Sequence, residues 1–250
     1  MRILVLGDTH ITTNGGFGYI EYLGRVERRV KPDVTIWIGD CADMDSVNSH
    51  IENWTARAKS KPCIDEDLKS LREAFRAYKS AAHNRKVPRK ITLGNHDWQW
   101  LVRFEDKVPE TKGTYTGAML GLLNEVGIEP TLYGDWLDVG GVLFTHIPIV
   151  GGKRVCGHYA EERVLGISAQ SVVFGHSHRF KAVTAGKIGI PHKLWGINVG
   201  CSMPYGLVKE YADHGLNDWT WGVTVLEVGE GGKIKGVHWE EMGVGVGVGG

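Results

Sequence analysis

Five short groups of polar side chains stand out because each directly follows a short apolar run. In chain order the groups are Asp8-Thr9-His10, Asp40-Cys41-Ala42-Asp43, Asn95-His96-Asp97, His146 and His176-Ser177-His178. Any one of them alone is typical of an ordinary turn. Together they offer carboxylate, imidazole and carboxamide donors, a mixture that suits Mn, Fe, Zn or Ni rather than a thiolate-seeking metal or an all-oxygen Ca²⁺ cage. The pattern therefore predicts a metal site.

The apolar runs that precede these groups predict the strands that position them. Residues 2–6, 34–38 and 90–93 are short, apolar and rich in β-branched side chains, and a helix-compatible spacing over 17–30 separates the first two. A strand, a helix and a strand in succession form a βαβ unit with parallel strands. Ligands in open α/β sheets gather beyond the carboxyl ends of the strands, so we expect the polar groups to meet at one edge. Glycines precede four of the groups (Gly7, Gly39, Gly94 and Gly175), and we expect them to allow sharp turns there.

The second half of the chain predicts a further sheet. Short strands are expected at 142–144, 172–174 and 197–199, and a hairpin at 222–228 and 233–239. Amphipathic or apolar spacing predicts helices at 65–82 and 115–126. The fold class expected is α/β, with two packed mixed β-sheets flanked by helices and the metal site at the carboxyl ends of the strands.

The domain organisation follows from the same pattern. We expect one domain over residues 1–243, with a helical insert at about 44–90 that interrupts the strand series and helps to shape the substrate cleft. Residues 244–250 are glycine and valine alone and predict a flexible tail.

Composition narrows the setting of the protein. Lys plus Arg and Asp plus Glu each count 29, so no overall field attracts nucleic acid or an anionic membrane. No run of apolar residues is long enough for a membrane span, and no signal peptide begins the chain. The four cysteines form no CxxC pair, which favours a reducing, cytoplasmic location.

Taken jointly, the five groups resemble the signature of the calcineurin-like metallophosphoesterases. That signature reads D-x-H, G-D-x-x-D, G-N-H-D/E, a later H and G-H-x-H, and every position of it is present here. The resemblance extends over roughly residues 1–202 and implies the two-sheet sandwich of that superfamily. It specifies the reaction type closely and the substrate hardly at all.

The resemblance also implies a role for each residue. Asp8, His10, Asp40 and His178 would hold one metal ion, and Asp40, Asn95, His146 and His176 would hold the other, so seven side chains supply eight ligand positions. The two ions, Mn²⁺ first and Fe, Zn or Ni as alternatives, would activate a water to the hydroxide that attacks phosphorus. His96 would protonate the leaving group and Asp97 would orient His96. Asp43 would lie behind the ligands and orient a metal-bound histidine.

Three further residues are candidates for contact with the substrate. Trp98 could stack on an aromatic group of the substrate or pack in the core. Arg154 and His158 lie in a glycine-rich stretch after His146, where Arg154 could bind a phosphate or remain a solvated loop charge.

The expected function is hydrolysis of phosphodiester bonds, with phosphomonoesters left open. The partner expected is a phosphate ester, a nucleotide among the candidates. One alternative is a DNA or RNA nuclease of the same superfamily, although no extended basic stripe favours it. The other is a catalytically silent metal-binding scaffold, which the presence of His96 and of every ligand disfavours.

Overall fold

The computed structural model describes residues 1–13, 15–48, 62–83, 86–207 and 218–243. Two expectations therefore fall outside the described residues: the flexible tail at 244–250, and residues 49–61 within the proposed insert. The elements below are numbered in chain order within the described ranges. No helix among them is both long enough and apolar enough to span a membrane.

The first sheet has six strands and joins both ends of the chain. Its strands are β1 (Arg2–Leu6), β2 (Val34–Trp37), β3 (Arg89–Thr92), β4 (Glu129–Thr131), β12 (Gly222–Val228) and β13 (Ile234–Glu241). They lie in the order β13-β12-β1-β2-β3-β4. The strands β1 to β4 are parallel, whereas β12 pairs antiparallel with both β1 and β13. The predicted βαβ unit and the predicted hairpin are confirmed.

The second sheet has five strands. These are β5 (Leu137–Val139), β6 (Val142–Phe144), β9 (Ser171–Phe174), β10 (Phe180–Ala185) and β11 (Leu194–Val199), in the order β10-β11-β9-β6-β5. Its three central strands β6, β9 and β11 are parallel, and the two outer strands are antiparallel to their neighbours. A separate small hairpin joins β7 (Ile149–Val150) to β8 (Lys153–Arg154).

Helices cover the outer faces of both sheets. They are α1 (Gly18–Val30), α2 (Ile64–Ala81), α3 (Trp100–Lys107), α4 (Thr114–Glu125) and α5 (Ala160–Ile167). The helices expected at 17–30, 65–82 and 115–126 are confirmed as α1, α2 and α4. Sequence spacing missed α3 and α5, which have only eight residues each.

Alternation along β1 shows how the layers are built. Ile3 and Val5 lie in the apolar core between the two sheets, whereas Leu4 and Leu6 lie in the core between the first sheet and its helices. Successive side chains of a strand point to opposite faces, so an unbroken apolar run is required where both faces are covered. The expected arrangement, two packed mixed sheets flanked by helices, is confirmed.

Helix α2 is part of the core although the sequence placed it within an insert. Its Phe75 and Tyr78 are fully buried, and both rings meet Trp37 of β2 edge-on at centroid distances of 5.1 and 5.0 Å. The described part of the segment at 44–90 thus supports the first sheet from its helix side.

A buried ion pair ties α1 to β3. Glu27 is fully buried, and its carboxylate accepts hydrogen bonds from Arg89 (2.6 and 3.1 Å), from the Thr35 hydroxyl (2.8 Å) and from the Tyr78 hydroxyl (2.8 Å). Because all these donors converge on one side chain, the carboxylate is fully hydrogen-bonded although it has no contact with water.

Replacing Glu27 with alanine should lower the free energy of unfolding by about 3–5 kcal/mol, because it removes the counter-charge of a buried guanidinium. Urea denaturation followed by circular dichroism measures the change. Glu21→Ala is the matched control on the same helix, since the Glu21 side chain is 52% exposed, and it should have a much smaller effect. Equal effects of the two substitutions would contradict the structural role of the Glu27 network.

Candidate metal centre and active site

The five polar groups of the sequence meet at one edge of the two sheets. Each lies just beyond the carboxyl end of its strand: Asp8 after β1, Asp40 after β2, Asn95 after β3, His146 after β6, and His176 with His178 after β9. The two sheets face each other, so these loops converge from both sides. All of these side chains except His176 are buried.

One cluster is formed by Asp8, His10 and His178. The Nε2 atoms of the two histidines are 3.1 Å apart, and Nε2 of His178 is 3.0 Å from Oδ2 of Asp8. On its other side, Nδ1 of His10 lies 2.9 Å from Oδ1 of Asp43. Three potential ligand atoms thus face one another within a space that could hold one ion.

A second cluster is formed by Asp40, His146 and His176, with Asn95 beside them. Nε2 of His146 lies 3.2 Å from Oδ2 of Asp40, 3.2 Å from Oδ1 of Asn95 and 3.3 Å from Nδ1 of His176. The opposite nitrogen of His146, Nδ1, donates to the carbonyl oxygen of Ile38 at 2.9 Å. The four residues that the family resemblance assigns to the second ion are therefore in contact.

The first cluster fits a cation because its acceptor atoms converge without enough protons to pair them. Burial lowers the pKa of His10 to about 4, so its ring is neutral at pH 7. Since Asp43 can only accept, the single ring proton lies on Nδ1, and Nε2 turns a lone pair toward the cluster. Nε2 of His178 lies 3.0 Å from Oδ2 of Asp8 and 3.1 Å from Nε2 of His10, and it can give a proton to at most one of these two acceptors. A positive ion is the group that would satisfy both atoms.

The second cluster also favours a positive charge, which a proton on His146 supplies. Burial lowers the pKa of His146, but the carboxylate of Asp40 outweighs burial and raises the pKa to about 9. Burial and the neighbouring His146 lower the pKa of His176 to about 4, so His176 stays neutral. The cluster thus attracts one positive charge to the point where three ligand atoms meet.

Metal binding should therefore tighten as the pH rises. At pH 7 an ion has to displace the proton held by His146, whose pKa is raised to about 9. The Kd for Mn²⁺ should fall about tenfold per pH unit between about pH 6.5 and about pH 8.5. Titration calorimetry in two buffers of different ionisation enthalpy should record release of about one proton near pH 7. A pH-independent Kd without proton release would show that His146 is already neutral.

Several candidate ligands have an unusual backbone conformation. His10, Asp40, His176 and His178 all have positive φ angles, of 46°, 46°, 70° and 57° respectively. Residues other than glycine rarely adopt positive φ angles, and such backbone strain concentrates where function requires a particular side-chain direction. The conformation turns each side chain from the strand end back into the cluster.

Two of the glycines show that crowding matters more here than turning. Gly39 has a φ of +98° and needs glycine for its conformation. Gly94 instead has an extended backbone, and a Cβ atom there would lie 2.0 Å from Oδ1 of Asp40. Gly7 and Gly175 likewise lie too close to neighbouring atoms for a side chain. The expectation of four sharp turns is thus correct for Gly39 alone, and close packing explains the other three.

His96 lies beside the clusters, outside both sets of ligand atoms assigned to the ions. Its Nδ1 is 3.0 Å from the carbonyl oxygen and 3.3 Å from Oδ1 of Asp43, and its ring stacks on Trp100 at a centroid distance of 3.7 Å. Burial lowers the pKa of His96, but the carboxylates of Asp40 and Asp43 outweigh burial and raise it. Because Asp43 holds Nδ1, the Nε2–H is the group that can donate a proton to a ligand.

Asp97 does not orient His96, contrary to the expectation from sequence. Its carboxylate accepts hydrogen bonds from the backbone amides of Cys41 (3.1 Å), Ala42 (2.8 Å) and Gly94 (3.3 Å). Those amides point at Asp97 because the loops after β2 and β3 lie side by side. Asp97 therefore joins two ligand-bearing loops, and Asp43 is the residue that holds both His10 and His96.

The three candidate substrate-binding residues lie in three different places. Arg154 donates to Oε1 of Gln99 at 2.5 Å, and its guanidinium lies 5.8 Å from the ring centroid of Tyr133. The Tyr133 ring in turn lies 6.4 Å from that of His146, which places Arg154 at the border of the second cluster. Trp98 is half-buried and packs against the helix-side core, in agreement with the packing alternative.

His158 lies on the side of the first cluster, in a cleft of about 490 Å³ lined by Gly157, His158, Ser177, Arg179, Asp218 and Trp219. The Trp219 ring meets the ring of His178 edge-on at 4.2 Å. Sequence reasoning missed Tyr133, Arg179 and Trp219. Tyr133 closely follows β4 at the same sheet edge, so recognition of that strand would have found it.

Comparison with known proteins places the chain in a family. The sequence model of the calcineurin-like phosphoesterases matches residues 1–180. The nuclease MPE of Pseudomonas putida is similar in structure at 12% identity and a TM-score of 0.39, over 93% of this chain and 86% of that chain. A second solved structure has 10% identity and a TM-score of 0.48, over 96% of this chain and 98% of that one. No curated protein sequence matches. Both structural likenesses are distant, so the family model decides: the chain belongs to the calcineurin-like phosphoesterases.

Proposed function

We propose that the chain is a metal-dependent phosphoesterase that hydrolyses phosphodiester bonds, with phosphomonoesters as a second class to be tested. The observation that carries the proposal is the convergence of seven candidate ligand residues in two adjoining clusters, with His96 beside them. A protein that only bound metal would need the ligands but not the neighbouring acid.

The residues fit two ions, of which Mn²⁺ is the first candidate. Asp8, His10 and His178, together with Asp40, would hold one ion, and Asp40, Asn95, His146 and His176 would hold the other. Bound divalent ions would supply Lewis acidity to phosphoryl oxygens and lower the pKa of water. The mixed imidazole and carboxylate set is the kind that Mn, Fe, Zn and Ni accept.

His96 is proposed to protonate the leaving-group oxygen. Burial lowers the pKa of His96, but Asp40 and Asp43 outweigh burial and raise it, which favours the charged ring with a proton on Nε2 to give. Asp43 fixes Nδ1, and the stacked Trp100 ring fixes the plane of the imidazole. Asp43 also holds Nδ1 of His10, so one carboxylate positions the acid and a ligand together.

Arg154 and Tyr133 are proposed to contact the phosphoryl group from the side of the second cluster. Burial raises the pKa of Tyr133, which favours the protonated phenol as a hydrogen-bond donor. A guanidinium and a phenol at the border of the cluster would stabilise negative charge that develops on phosphoryl oxygens.

The proposal is tested with purified protein loaded with Mn²⁺, Zn²⁺, Fe²⁺ or Ni²⁺. Bis(p-nitrophenyl) phosphate and p-nitrophenyl phosphate report diester and monoester hydrolysis, and Asn95→Ala should abolish the release of nitrophenol. Metal content measured on the same samples shows whether loading succeeded. Fully loaded protein that cleaves neither ester with any of the four metals would overturn the proposal.

A further inference from the structure

The cleft beside the first cluster has the size and lining of a binding site for part of a substrate. Its volume of about 490 Å³ lies within the range of small-molecule pockets. Ser177 lies in its wall, between the candidate ligands His176 and His178. Trp219, also in its wall, contacts the ring of His178. A group in this cleft would therefore lie next to a phosphate held at the metal clusters.

The arginine of the cleft is held in place from behind. The Arg179 side chain is only 13% exposed, and it donates to the carbonyl oxygen of Gly157 at 2.8 Å. Its Nη1 lies 3.0 Å from Nδ1 of His158. Fully buried Glu161 lies behind it, with Oε1 at 3.9 Å from Nη2. Such anchoring presents the guanidinium edge in one orientation, which favours a specific contact over a mobile surface charge.

The charge balance of the cleft argues against a second phosphate as its occupant. Arg179 has two carboxylates within about 4 Å, that of Glu161 at 3.9 Å and that of Asp218 at 4.0 Å. Lys181 lies nearby, 3.3 Å from Glu161 and 2.8 Å from Glu162, so two cations face three carboxylates and the cleft offers donors and an acceptor without a net positive field. An uncharged ring with both hydrogen-bond donors and acceptors fits that lining, which also includes the half-buried indole of Trp219.

The position of the acid decides which side of the ester enters the cleft. His96 contacts the ring of His10 at 4.7 Å, His10 contacts His178 at 5.0 Å, and Trp219 contacts His178 at 4.2 Å. Two histidine rings thus separate the acid from the cleft. Since the leaving group must lie at His96, the cleft receives the substituent that stays on phosphorus.

From this geometry we infer that the cleft of Arg179, His158, Asp218 and Trp219 binds a nucleobase on the retained side of the scissile phosphate. The inference rests on the proposed function and narrows its substrate to nucleoside phosphodiesters. Stacking on an aromatic ring contributes about 1–3 kcal/mol per base, which corresponds to roughly 5- to 150-fold in affinity.

The kinetic test compares two esters that release the same nitrophenol. Thymidine 5′-(p-nitrophenyl) phosphate has a base on the retained side, and ethyl p-nitrophenyl phosphate has none. The ratio of their kcat/KM values should exceed about tenfold for the wild type and fall close to one for Trp219→Ala, whereas Trp219→Phe should keep most of it. The ratio cancels any general loss of activity or folding in a variant. A ratio near one in the wild type would overturn the inference.

Binding without turnover provides the second readout. Saturation-transfer NMR on metal-free protein should show thymidine protons of the base more strongly saturated than those of the sugar, and Trp219→Ala should remove this effect. If the ethyl ester is cleaved but the thymidine base neither binds nor raises kcat/KM, the proposed function stands and the base site is wrong. If neither ester is cleaved while the base still binds, the proposed reaction fails and the site remains.

Discussion

Replacing Asp40 with asparagine should reduce hydrolysis of bis(p-nitrophenyl) phosphate by a factor of about 10³ or more, and should lower the bound metal at the same time. Asp40 contacts His146 through Oδ2, and its Oδ1 accepts a hydrogen bond from the backbone amide of His96. Loss of its charge therefore weakens the second cluster directly and removes the ligand that the two ions are proposed to share.

Asparagine is the informative replacement at this position. Asp40 has a φ of 46°, and asparagine tolerates positive φ better than most residues, so the backbone is kept. Metal per chain is measured by mass spectrometry after gel filtration, and activity is measured on the same samples. Asp106→Asn, at an exposed carboxylate of α3, is the matched control and should leave both quantities unchanged. A fully active Asp40→Asn variant would contradict the assignment of the bridging ligand.

Replacing His96 with asparagine should lower kcat by about 10²- to 10⁴-fold for esters with alkyl leaving groups and much less for nitrophenyl esters. An alkoxide requires a proton as it leaves, whereas nitrophenolate leaves readily without one. Bound metal should stay at the wild-type amount. The hydrogen bond from residue 96 to Asp40 is donated by the backbone amide, at 2.9 Å, so the substitution keeps it.

The dependence on the leaving group separates an acid from a ligand. A series of aryl and alkyl esters gives a plot of rate against leaving-group basicity, and this plot should be steeper for His96→Asn than for the wild type. His238→Asn, at an exposed histidine, serves as the control. Parallel plots with reduced metal content would show that His96 supports the metal site instead. Equal inertness of the wild type and the variant towards every ester would favour the scaffold alternative.

Much of the fold was predictable because local patterns determine it. The strands β1, β2 and β3 are apolar runs closed by polar groups, and α1, α2 and α4 show clear helical spacing or apolar content. The strand β4 was missed because Glu129-Pro130-Thr131 is neither apolar nor alternating. It forms because its backbone pairs with β3, which no local pattern of side chains records.

The candidate ligands were also predictable, since chain order and strand ends place them. The roles of the residues next to these ligands could not be predicted from sequence. From sequence, Asp97 is adjacent to His96 and was expected to hold it, but its carboxylate reaches the amides of Cys41 and Ala42 across the sheet edge. Asp43, more than fifty residues away along the chain, contacts His96 instead.

The sequence by itself thus predicted a divalent-metal site, the residues proposed as its ligands and the sheet edge at which they meet. The tertiary structure alone decided which carboxylate holds the acid, why Gly94 admits no side chain beside Asp40, and how Arg179 and Trp219 come to line one cleft. The physical reason is the range of the interactions. Strand and helix preferences act over neighbouring residues, whereas hydrogen bonds and ring contacts depend on the distance between atoms that packing brings together from distant parts of the chain.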